Sequence, residues 1–237
     1  MSPGGRRLWP ELARNYDPTG RTGWLFAATQ RRPASRKQQR NAKIRQSLTQ
    51  QVEVQVIPAL EDMEGYLCLH LAWYLASWGM LRNSFLMQKD YKIHAAVVRV
   101  LYQPEWEALW DIDPEKLAQE WYATRIMKLC EAITEAYVDS GAGIPTETLL
   151  TKILLGTIGC APAYDRYFKK ALSLTGAAQQ RCNVQSLMAL GKLYISRLDE
   201  FEALRKHCSE RVEYPAAKII DMCFFEYGFQ NDSDVEE

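Results

Sequence analysis

Apolar residues recur at helical rather than strand spacing from about residue 59 to residue 228, and the chain reads as all-α: a compact bundle of about eight helices. Between Ala59 and Met80 the residues Leu60, Met63, Leu67, Leu71, Tyr74, Leu75 and Trp78 cover every face, which predicts a helix buried at the centre of the domain. A turn near Arg82–Ser84 leads to a second helix over about Lys89–Tyr102, and Pro104 then opens a short aromatic turn with Trp106 and Trp110. Asp113-Pro114 is a start signal, with Asp as N-cap and Pro at the first helical position. Leu117, Trp121, Ile126, Leu129, Ile133 and Ala136 line one face of the long helix it opens, until Ser140-Gly141 ends it. Thr146 caps a helix from Glu147 to about Ile158, Gly159 stops it, and Cys160-Ala161-Pro162 leads to another that closes at Gly176. Asn183 starts a helix whose stripe, Leu187, Leu190, Tyr194, Leu198, Phe201 and Leu204, runs to about Cys208. Pro215 opens the last helix, which ends near Gly228.

The first 58 residues break this pattern. Residues 1–35 are rich in Gly, Pro, Arg and Thr and read as extended, although Trp9, Trp24, Leu25 and Phe26 are able to dock on the body. A helix over Ser35–Gln51 would carry only two large apolar residues, Ile44 and Leu48, so it needs a partner to be stable. The following VEVQVI (52–57) alternates like a strand but has no second strand to pair with, so helix or linker is the reading. The organisation is therefore a basic arm and linker at 1–58, a helical domain at 59–228 and an acidic, disordered tail at 229–237.

Net charge is zero, with 29 basic and 29 acidic residues, but the distribution is uneven. Residues 1–47 hold eleven Lys/Arg against Glu11 and Asp17, a balance of +9, which leaves −9 for the remainder. Such an arm suits nucleic acid, an acidic partner or the acidic surface of a neighbouring subunit. The most apolar window, Tyr66–Met80, is short of the roughly 20 residues that cross a bilayer. No apolar run follows the N-terminal charges, so no secretory signal is read and the cytoplasm is the expected compartment, with no membrane partner. Cys68, Cys130, Cys160, Cys182, Cys208 and Cys223 form no CxxC pair and read as small core residues.

Common catalytic signatures are missing: no phosphate loop, no dinucleotide fingerprint, no nucleophile elbow and no HExxH. His70, His94 and His207 are far apart, and neither a metal nor a cofactor is expected; His70 reads as a core histidine. Arg31, Arg32, Arg36, Lys37, Arg40, Lys43 and Arg45 are the candidate phosphate or partner contacts of the arm. The segment SWGMLRNSFLMQKDYK (77–92) places Trp78, Arg82, Asn83, Gln88, Lys89 and Tyr91 around a break between apolar helices. Aromatics beside Arg, Asn and Gln suit stacking on a base or another planar ligand, and the bland alternative is a helix corner that satisfies its own carbonyls.

In TKILLGTIGCAPAYDRYFKKAL (151–172), Lys152 lies within one helix and Asp165 at the start of the next. This unit resembles the helix-hairpin-helix DNA glycosylase superfamily and glycosylase-like bacterial proteins, with AYDRYFKK (163–170) as counterpart of the family string that carries an essential Asp. The resemblance implies an all-helical DNA-binding scaffold in which Asp165 stabilises positive charge developing on a sugar or activates a nucleophile. It also implies that the 78–92 corner receives an extruded base, in bacterial defence against foreign DNA. Lys152 is the second candidate catalytic group. The expectation is a nucleic-acid-binding protein, DNA favoured; the alternative is a non-catalytic helical subunit whose arm binds an acidic protein surface.

Overall fold

Side-chain caps fix four of the helix starts. A computed structural model of the chain describes residues 57–82, 84–110, 112–208 and 213–232; the candidate arm residues Arg31 to Arg45, and Asn83, lie outside them. Helix α1 spans Ile57–Ser77, α2 Ala95–Leu101, α3 Pro114–Leu117, α4 Glu120–Asp139 and α5 Glu147–Thr157. They are followed by α6 (Arg166–Thr175), α7 (Val184–Ser196), α8 (Leu198–Cys208) and α9 (Ala216–Gln230). The protein is all-α: no strand occurs among the described residues, and eight of these helices have seven residues or more. Asp113, Thr146, Asp165 and Asn183 each accept a backbone N–H from the first turn of the helix they precede. Gly176, at φ +65°, closes α6 in the left-handed region.

Three differences from the sequence reading have tertiary causes. The helix expected from Asp113 to Ser140 is two, α3 and α4, because the junction at Ala118 receives the backbone of α7: a Cβ on Gly191 would lie 2.5 Å from the Ala118 nitrogen. The helix expected from Asn183 to Cys208 also breaks, at Arg197, into α7 and α8. The bend lays Tyr194 flat on Phe201, with ring centroids 4.4 Å apart, and lets the Tyr194 hydroxyl donate to Glu202 at 2.8 Å. Gly228 does not end α9, which runs on to Gln230. Its missing Cβ is used instead for close approach, since a side chain there would collide with the Tyr167 carbonyl of α6.

The second predicted helix, over about Lys89–Tyr102, begins as a short 3-10 turn, Tyr91–His94, before α2, and another 3-10 turn, Phe85–Gln88, precedes it. The core is continuous and includes Leu75, Ile126, Leu129, Ile133, Ile153, Phe168, Leu190 and Phe224, all fully or almost fully buried. Each such side chain contributes about 1.5–3 kcal/mol through burial.

Helix α1 is not buried all round. Cys68, Leu71, Tyr74 and Leu75 face the core, whereas Met63, Tyr66, Leu69 and Trp73 are exposed, Trp73 by 62%. His70 is correspondingly no core histidine: it is half-buried beside Tyr66, with ring centroids 4.1 Å apart. The buried histidine is His94, whose Nδ1 lies 2.7 Å from the Tyr137 hydroxyl. Trp121, expected on the inner face of its helix, is 53% exposed with the Arg125 guanidinium 4.9 Å from its ring centre.

Candidate functional site: a buried charge cluster beside Trp78

The loop between α5 and α6 is the least loop-like part of the molecule. Every residue from Ile158 to Asp165 is buried, although connecting segments ordinarily run over the surface because their peptide groups need partners. Here neighbouring helices supply those partners. The Ala163 N–H donates to Asp221 Oδ1 at 2.9 Å, and the Tyr164 N–H donates to Thr151 Oγ1 at 2.9 Å. Thr148 Oγ1 donates to the Tyr164 carbonyl at 3.0 Å, and the Tyr164 hydroxyl lies 2.8 Å from Ser186 Oγ.

Asp165 closes this loop and opens α6. Its Oδ1 accepts the Phe168 N–H at 3.0 Å, and its Oδ2 accepts from Lys152 Nζ at 2.9 Å. Thus the two candidate catalytic groups, thirteen residues apart in sequence, form a buried ion pair, with 9% of Asp165 and 4% of Lys152 exposed. A second pair stands beside it: Lys218 Nζ donates to Asp221 Oδ2 at 3.1 Å, on the first turns of α9. Both lysines approach one aromatic ring, with Lys152 Nζ 4.0 Å and Lys218 Nζ 4.9 Å from the centre of the Trp78 ring. Tyr74 and Phe225 meet Trp78 edge-on at 6.2 and 6.4 Å. Tyr74 reaches this position because α5 carries Gly156 there; any Cβ at that site would collide with the Tyr74 ring.

Two ammonium and two carboxylate groups balance, which is how four charges persist in the interior. Burial pushes the Lys218 ammonium below the ordinary lysine value, and the positive charge of Lys152 pushes the same way; the Asp221 carboxylate opposes both. The Tyr74 phenol moves up, chiefly through burial and then through the negative charge of Asp221. Chemically, the cluster can hold charge near Trp78 in a dry environment and can fix the α5–α6 loop.

Of the described corner residues, Trp78 alone is placed at this cluster. Arg82, Gln88 and Lys89 are exposed, and Tyr91 lies on the first turn after Asp90 with 37% exposure. Lys89 Nζ reaches the Gly141 carbonyl at 3.5 Å, on another side of the domain. Sequence reasoning missed Lys218 and Asp221. The signal was present: a Lys and an Asp three apart in the otherwise apolar string AAKIIDMCFF (216–225).

The cysteines are free, and all but the half-buried Cys208 are buried, as expected for small core residues. Among the described residues no group of three or more His, Cys, Asp or Glu could hold a metal ion, and no helix is long and apolar enough to cross a membrane. No family model matches the chain, and neither a curated protein nor a solved structure matches it.

Proposed function

We propose that this protein binds nucleic acid, with DNA as the favoured partner, through its basic N-terminal arm, on a glycosylase-like helical scaffold. The observation that carries this reading is the charge division, +9 over residues 1–47 against −9 over the rest. On the glycosylase-like version, acting in defence against foreign DNA, Asp165 stabilises positive charge on the sugar as the base departs.

A salt titration tests the binding. The full chain should bind duplex or single-stranded DNA with affinity that falls steeply as salt rises, and removal of residues 1–47 should abolish it; no binding at low salt overturns the reading. For the chemical version, Asp165→Asn should abolish base release while the fold stays intact, and unchanged release removes Asp165 from the mechanism.

One observation favours the second reading, a non-catalytic subunit of a larger assembly whose arm binds an acidic protein surface. Both carboxylate oxygens of Asp165 are already engaged, one by the Phe168 N–H and one by Lys152, which is the arrangement of a structural cap. Co-purification of the native protein decides between them, since the first reading predicts bound nucleic acid and the second a partner chain.

A further inference from the structure

Helix α1 has the composition of a helix covered on all sides, yet among the described residues only one side is covered. Met63, Tyr66, Leu69 and Trp73 are 40–62% exposed and form one apolar stripe, which the half-buried Ala76 continues toward the end of the helix. Isolated exposed hydrophobics are ordinary, but a contiguous stripe of this kind, two aromatics and a methionine included, marks a contact surface.

We propose that the stripe pairs with the same stripe of a second copy of this chain, the two α1 helices lying antiparallel about a two-fold axis near position 71. Three observations point to this occupant. Tyr66, Leu69, Trp73 and Ala76 are spaced 3, 4 and 3 apart, the repeat that keeps one seam facing a partner helix. The seam is complementary to itself: reversed about position 71, it sets Tyr66 against Ala76 and Trp73 against Leu69, each contact occurring twice, so that a ring meets a smaller aliphatic side chain in every layer. The area fits as well, because the four exposed side chains offer on the order of 500 Å² per copy, and pairing removes about 1,000 Å² from water, the size at which specific interfaces begin.

Charge does not oppose the contact. The chain has no net charge, so two copies do not repel at long range, and Glu64 of α1 is already held by Arg99 of its own chain. An interface at the lower end of the specific range, with a Trp and a Tyr from each copy in its seam, corresponds to a dissociation constant in the micromolar range. Pairing also brings two basic arms, each +9 over residues 1–47, into one particle. The contact stands apart from the nucleic-acid reading, since α1 pairs with its copy whether those arms meet phosphate or protein.

Sedimentation equilibrium of the full chain over roughly 1–200 µM tests it, and the average mass should rise from one chain to two across that range. Leu69→Glu/Trp73→Glu sets four carboxylates around the axis and should leave one chain throughout. Trp73→Ala adds no charge at a position that is 62% exposed, keeps the helix, and should weaken pairing about tenfold or more. For the register, Met63 is replaced by p-benzoylphenylalanine, and irradiation of the paired protein should join it to residues 75–82 of a second chain. One chain at every concentration, assemblies larger than two, pairing undiminished in either variant, or a probe that joins its own chain, another segment or nothing each overturn the proposal.

Discussion

Two sets of ion pairs with similar distances occupy opposite environments. Arg99 holds Glu64 in a two-pronged pair, both contacts at 2.7 Å, between α2 and α1, with the arginine side chain 67% exposed. Lys152–Asp165 and Lys218–Asp221, at 2.9 and 3.1 Å, are no shorter, but they are buried. In water the first pair exchanges hydration for an equivalent contact and gains little. In the interior each charge depends on its partner and on the peptide groups that complete its shell, so removal of one leaves the other stranded. Bond length does not separate the pairs; surroundings do.

The largest predicted effect comes from breaking the buried side of this comparison. Lys152→Met should lower unfolding free energy in urea by about 3–5 kcal/mol, because Asp165 loses its buried counter-ion. A loss under about 1 kcal/mol would put the cluster in the same class as the surface pairs.

His94 extends the comparison to a buried group without a charged partner. Burial holds its pKa down at about 4, against an ordinary value near 6.5, so the unfolded chain takes up a proton between those values and the native state does not. Stability therefore falls as pH drops from about 6.5 to about 4, by about 3 kcal/mol in all. His94→Gln should flatten that slope in a pH series of denaturant midpoints.

Gly228→Ala tests packing rather than charge. It forces α9 away from the Tyr167 carbonyl and should cost about 1–3 kcal/mol, read as a lower thermal midpoint. The smallest effect belongs to the exposed pair: Arg99→Ala should cost less than about 1 kcal/mol and lose even that in high salt. A larger loss would show that exposure does not govern these pairs.

Helix starts were legible because their signals are local. Asp113, Thr146, Asp165 and Asn183 each cap the helix after them, and each can be read from a short polar residue before an apolar run. The breaks at Ala118 and Arg197 were not, since neither residue is a helix breaker and the causes lie in other helices, Gly191 against Ala118 and Phe201 under Tyr194. Gly228 shows the same limit from the other side: a glycine late in a helix reads as a terminus, and only its neighbour Tyr167 reveals its use in close packing. At the site, Asp165 was visible as a cap and Lys152 as a charge within an apolar helix. Their pairing depended on the path of a buried loop, and Lys218 and Asp221 join from more than fifty residues away.

The two buried pairs are expected to act as one unit around Trp78 and the α5–α6 loop. A double-mutant cycle on Asp165→Asn and Asp221→Asn measures this directly, since asparagine keeps an oxygen for the Phe168 and Ala163 amides and removes only the charge. Coupling of about 1 kcal/mol or more between the two substitutions in urea unfolding is the predicted result. Additivity within about 0.5 kcal/mol would contradict it, leaving two separate ion pairs that happen to share a neighbour.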